Sequence, residues 1–168
     1  MNPVLAAWNA LPPAQATTQL LHCCAAQRWA KFVLAHRPFQ DEPAIFTTAD
    51  QAWATMQEPD WMEAFHAHPR IGEKKVQASE QSQSWSNQEQ SAAEQAEAAI
   101  KQAMAEGNAR YEELFGFTYI VCATGKTLPE MLAILETRLT HDRATELREA
   151  AEQQRQITQI RLRKWLNP

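Results

Sequence analysis

The chain has 168 residues, 45% hydrophobic and 21% charged, which supplies a buried core for one domain and argues against wholesale disorder. Four glycines among many Ala, Gln, Glu and Leu disfavour a turn-rich sandwich or barrel and favour helices. The formal net charge of -4 speaks against a nucleic-acid binder, and Arg155, Arg161, Arg163 and Lys164 are spaced along a helix like a solvated face.

Asn2-Pro3 is a helix start, with Val4, Leu5, Trp8 and Leu11 at helical spacing before Pro12-Pro13. A second helix is expected over Ala14 to Gln27 and a third over Arg28 to His36, ended by Pro38. Thr48-x-x-Gln51 reads as a capping box opening a helix through Met56. Asp60 is expected to cap the next, with Trp61, Met62 and Phe65 inward and Pro69 closing it. His66 to Ser84 lacks helical periodicity, and a loop of that size in a compact domain is functional or disordered. Ser86-x-x-Glu89 is a further capping box, opening a polar helix to about Glu106 that Gly107-Asn108 breaks or kinks and Tyr111 to Phe115 resumes. Phe117 to Ala123 is β-branched and aromatic but has no partner strand, so a strand, a buried extended connector and a distorted helix all fit. Thr127-x-x-Glu130 caps a helix bearing Leu128, Met131, Leu132, Leu135 and Leu139, and the last helix spans about Asp142 to Trp165. No repeat or sustained heptad is present. The expected fold is all-α, a single-domain helical bundle of about seven or eight helices.

Cys23, Cys24 and Cys122 make neither a disulfide framework nor a zinc pattern and read as reduced, packed thiols. No secretory signal, membrane-spanning run or peroxisomal tripeptide is evident, so the expected location is the cytoplasm. No Gly-rich phosphate loop or clustered set of metal ligands stands out.

Individual residues are ambiguous. His66 and His68 are two apart, which puts them on different sides of a helix and disfavours a two-histidine metal site. His68 precedes Pro69 at a helix end and suits a general acid or base, and equally a capping or solvent-exposed histidine. Glu89 suits a cap and also a carboxylate projecting into a cavity, while Gln90 has no capping duty and is a free amide donor.

The order of motifs is more specific. His68-Pro69-Arg70-Ile71-Gly72, then Ser86-x-x-Glu89-Gln90, then Tyr111-x-x-x-Phe115-Gly116-Phe117, then Ile160-Arg161-Leu162 resembles the OHCU decarboxylase family over nearly the whole chain, 1–168. OHCU is 2-oxo-4-hydroxy-4-carboxy-5-ureidoimidazoline. The resemblance implies an all-α homodimer without cofactor that converts this small anionic ureidoimidazoline to (S)-allantoin and CO2, the last step from urate to allantoin. It implies His68 as catalytic residue, Glu89 as its acidic partner and Arg161 as a substrate-binding cation. Pro69, Ser86, Asn87, Gln88, Gln90 and the backbone of Ile120, Val121, Cys122 and Ala123 are then expected to line the pocket. The chain departs from the family after Arg138-Leu139, where Thr140-His141-Asp142-Arg143 replaces an Asn-containing segment; an effect on capping or the dimer surface is expected. Two other readings stay open: a ureide or cyclic-amide hydrolase of the same pathway, and a non-enzymatic helical interaction module.

Overall fold

Asn2 opens α1 (Pro3–Asn9) by accepting from the amides of Val4 and Leu5 at 2.8 and 3.2 Å, which satisfies two of the helix's orphan donors. Its side-chain amide also donates to the carbonyl of Leu166 at 2.8 Å, tying the two ends of the chain together. The structure, a computed structural model, describes residues 2–72 and 87–168, with the side chains of 87–92 outside the description. After α1 come α2 (Pro13–Cys23), α3 (Gln27–Ala35), α4 (Glu42–Ala54), α5 (Glu58–His66), α6 (Asn87–Phe115), α7 (Leu128–Arg138) and α8 (Arg143–Leu166). Among the described residues the regular structure is these eight helices, with no strand.

The chain divides into two compact units, Met1–Ala67 with Arg148–Pro168, and His68–Leu147. The first is organised around α3, which packs on α2, α4 and α5. Its core contains Leu5, Trp8, Leu20, Trp29, Val33 and Ile45, all essentially inaccessible. A buried indole needs an acceptor, and here Trp8, Trp29 and Trp53 donate to the carbonyls of Ala16, Ala49 and Ala151 at 3.1, 3.0 and 2.9 Å. The second unit is built on α6 against α7.

Two expected helix starts are corrected. Thr48 lies inside α4 and is buried, because Asp41, which accepts from Ala44 N at 2.9 Å, already caps the helix ahead of Pro43. Ile45, Thr48, Ala49 and Ala52 then share the inward face at the spacing of one helical stripe. Asp60 does not cap α5; it is the third residue of the helix and closes a capping box that starts at Gln57, whose backbone amide donates to Asp60 Oδ2 at 2.9 Å. Phe65 is buried as expected, while Trp61 and Met62 are only half-buried.

The expected break at Gly107-Asn108 is absent: α6 runs from 87 to 115 without interruption. Gly107 serves packing instead, since a Cβ built there lies 2.6 Å from Leu135 Cδ2 of α7. Gly107→Ala is therefore expected to destabilise the protein by about 1–3 kcal/mol through overpacking, against a helix-propensity gain of about 1 kcal/mol. A lower urea midpoint with an unaltered m-value checks this. The actual stop of α6 is Gly116, at φ +81° with its amide donating to Glu112 O at 2.8 Å, a left-handed helix end that any side chain would strain.

Candidate active site

His68 follows the C-cap Ala67 of α5 directly and opens the second unit, half-buried, with Pro69 exposed beside it. The segment after it is fastened to α6 twice. Arg70 makes a bidentate pair with Glu112, Nε to Oε1 at 2.8 Å and Nη2 to Oε2 at 2.7 Å. Asn108, 3% exposed, donates from Nδ2 to the Ile71 carbonyl at 2.9 Å. A buried asparagine in mid-helix is costly unless its amide is used, and here it holds the backbone three residues from His68.

The hydrogen bond from Arg70 holds the Glu112 carboxyl below its ordinary value. A depressed folded-state pKa adds stability that is present above the unfolded value near 4.5 and lost as pH falls through the folded one. With Arg70 half-exposed, solvent screening keeps the contribution to about 0.5–1 kcal/mol. Glu112→Gln is expected to lower stability by that amount at pH 7 and by less at pH 3, and urea unfolding at the two pH values checks it.

Phe117 to Ala123, for which strand, connector and distorted helix all fitted, is an irregular connector. Phe117, Tyr119, Ile120, Val121 and Cys122 are buried, and Ala123 is exposed. Side chains take the place of a partner strand in satisfying its backbone. Arg138 Nη1 donates to Ile120 O at 2.6 Å, and Lys126 Nζ donates to Cys122 O at 2.9 Å. Tyr119 in turn donates its hydroxyl to Met131 O at 3.0 Å.

Behind the connector lies a buried polar cluster. Arg138 is 3% exposed and Glu146 0%. Arg138 donates to Glu146 Oε1 from both Nε, at 2.7 Å, and Nη2. The Tyr111 hydroxyl donates to the same oxygen, and His141 Nδ1 lies 3.0 Å from Oε2. The guanidinium also sits 4.9 Å from the centroid of the Tyr119 ring. Burial opposes the charge on Arg138, but the Glu146 hydrogen bond and the neighbouring Tyr111 leave its pKa raised. Burial, then the bond to Glu146, pushes the Tyr111 phenol well above its usual range.

Arg161 belongs to the first unit, on α8, and donates to Cys23 O at 3.3 Å. It lines an open cleft of about 700 Å3 with Gln19, His22, Cys23, Lys164 and Trp165. Burial pushes the Cys23 and Cys24 thiols up to about 11, so both are packing groups with little thiolate at neutral pH. All three cysteines are buried and none is in a disulfide, as the sequence reading expects.

Of the expected site residues, His68, Pro69 and the Ile120 to Ala123 connector fall in the second unit. Asn87, Gln88, Glu89 and Gln90 form the first turn of α6, and their side chains lie outside the description. Ser86, and with it the expected Ser86-x-x-Glu89 box, lies outside the described residues. Lys126, Arg138 and Glu146 were not singled out from the sequence as supports of the site. One signal was legible: Met131, Leu135 and Arg138 lie on one inward stripe of α7, and a charge there requires a partner. Within the Thr140 to Arg143 segment, Asp142 Oδ1 accepts from Thr145 N at 2.9 Å at the start of α8. It also reaches further in than expected, through His141 to Glu146.

The family model for OHCU decarboxylase matches residues 9–163. The chain belongs to the OHCU decarboxylase family. Among relatives of this family member, the uric acid degradation bifunctional protein TTL of Arabidopsis thaliana is 35% identical over 152 residues, 84% of this chain and 44% of that one. The 2-oxo-4-hydroxy-4-carboxy-5-ureidoimidazoline decarboxylase of Amia calva is 40% identical over 55 residues, 33% of this chain and 31% of that one. The matches thus span less than half the length of either relative. The crystal structure of an OHCU decarboxylase in the presence of (S)-allantoin superposes with a TM-score of 0.73 at 31% identity, covering 89% of this chain and 98% of that one. An (S)-allantoin synthase structure, at 18% identity and a TM-score of 0.66 over 96% of this chain and 53% of its own, shares the fold. Among the described residues, no helix is long and apolar enough to cross a membrane.

Proposed function

We propose that this OHCU decarboxylase family member removes CO2 from 2-oxo-4-hydroxy-4-carboxy-5-ureidoimidazoline to give (S)-allantoin. The observation that carries the reading is the 31% identical OHCU decarboxylase, matched over 98% of its length and solved in the presence of (S)-allantoin. The family match across 9–163 covers parts of both units and supports one functional domain over the whole chain.

The reaction needs no added electron sink. When the carboxylate leaves as CO2, its bonding pair stays on the ring carbon and is taken up by the conjugated C=N and carbonyl groups. The ring hydroxyl then loses its proton as a carbonyl forms, and a proton delivered to one face of the neighbouring carbon sets a single enantiomer. The protein must hold the breaking bond perpendicular to the ring, stabilise the developing charge with fixed donors, and move these protons. In this reading His68 is the principal acid/base, Glu89 orients it or holds the hydroxyl, and Arg161 binds a substrate oxygen in the bidentate manner open to a guanidinium. The Ile120 to Ala123 backbone and Pro69, Ser86, Asn87, Gln88 and Gln90 complete the contacts. A homodimer in the cytoplasm, working without cofactor or metal, belongs to the same proposal.

The test is circular dichroism on freshly generated urate oxidation product, with hydroxyisourate hydrolase and a chelator present. The protein is expected to accelerate the appearance of one allantoin enantiomer. An unchanged, slow racemic background sinks the reading, and activity abolished by the chelator favours a metal-dependent hydrolase instead.

A further inference from the structure

We infer that Arg138 is a positioning residue for this decarboxylation: with Lys126, it orients the Ile120 to Ala123 backbone so that the amides of Val121 and Ala123 are presented to the substrate. The inference rests on the reaction proposed above and adds the residues that aim its backbone donors.

A trans peptide places its C=O and N–H on opposite sides of the bond, so fastening one aims the other. The Arg138 guanidinium holds the Ile120 carbonyl at 2.6 Å, which aims the Val121 N–H to the side of the peptide opposite that guanidinium. The Lys126 ammonium holds the Cys122 carbonyl at 2.9 Å, which does the same for the Ala123 N–H. No hydrogen bond from either amide is found among the described residues. Two donors in alternate peptides of one irregular segment suit an anionic, carbonyl-rich ligand, and fixed backbone donors are the groups that stabilise charge developing on oxygen or nitrogen.

Arg138 is itself immobilised. Glu146 binds two of its nitrogens, the Tyr111 hydroxyl lies 3.4 Å from Nη2, and the Tyr119 ring covers the guanidinium plane. Tyr119 belongs to the same connector and is anchored to Met131 O, so the segment is held from both its side chains and its carbonyls. A structural ion pair would be complete with Glu146 alone. The additional bond to Ile120 O couples that pair to the backbone expected to line the pocket.

The test uses Arg138→Lys, Lys126→Met and Lys126→Arg in the full chain, with kcat and KM measured on enzymatically generated substrate and corrected for folded fraction by thermal unfolding. Arg138→Lys keeps the charge but loses the forked geometry. Lys126 is exposed, so Lys126→Met tests the inference even where the Arg138 variant folds poorly. Loss of an aimed transition-state donor is expected to lower kcat about 10-fold or more in Arg138→Lys and Lys126→Met. KM should stay nearly constant, and Lys126→Arg should recover most of the loss. A kcat per folded molecule within about twofold of the parent in either of the first two variants overturns the inference, since a purely structural role moves the folded fraction alone. An inactive parent removes the reaction and this inference together; an active parent with unaffected variants removes the inference and leaves the reaction standing.

Discussion

His68→Asn is expected to lower kcat about 100- to 10,000-fold, the range for loss of a positioned general acid/base. Asparagine keeps a hydrogen-bonding amide near the position of one ring nitrogen but neither titrates near neutral pH nor exchanges a proton with substrate. The segment around His68 is held by other groups: Arg70 on Glu112, and Asn108 on the Ile71 carbonyl. His68 is half-buried and outside any helix, so the variant's unfolding midpoint is expected to stay close to the parent's. Parallel measurement of kcat and thermal unfolding separates the two effects. Most of the turnover surviving in a folded His68→Asn protein refutes the acid/base assignment.

Glu146→Ala is expected to destabilise the protein by about 3–5 kcal/mol, the cost of leaving one partner of a buried ion pair behind. Three groups depend on this carboxylate: the Arg138 guanidinium through two nitrogens, the Tyr111 hydroxyl and the His141 ring. Without it a guanidinium 3% exposed has no opposite charge, and the phenol, already disfavoured from ionising by burial, loses its acceptor. The companion double variant Arg138→Met/Glu146→Leu removes both charges together. It is expected to recover much of the loss, because replacing a whole buried pair with apolar groups costs far less than breaking it. Urea unfolding of the single and double variants forms the cycle, and a Glu146→Ala cost below about 1 kcal/mol is incompatible with an uncompensated buried charge.

The caps that residue identity and spacing disclose well are those made between near neighbours. Asn2, the Thr127 to Glu130 box and the start of α8 at Asp142 all match, because a capping side chain reaches amides only two or three residues away. Thr48 and Asp60 misled for the same reason: each has the right local pattern, but Asp41 and Gln57 reach the helix start first. The motif order was readable because family resemblance is carried by residue identity along the chain.

What the sequence by itself determined about this protein is therefore its helical class, most of its helix starts, its packed thiols and its family. Tertiary structure alone decided the rest. Gly107 reads as a break in isolation, yet it is a close-packing point because Leu135, far along the chain, fills the space of its missing side chain. Phe117 to Ala123 reads equally as strand or connector, since the donors that satisfy its carbonyls come from Lys126 and from Arg138 on another helix. The pairings of Arg138 with Glu146 and of Asn108 with Ile71 join residues 8 and 37 positions apart, respectively. Local periodicity marks a buried charge as needing a partner, but only the packing of α7 and the start of α8 within one unit, and of Asn108 against the segment after His68, determines which partner it finds.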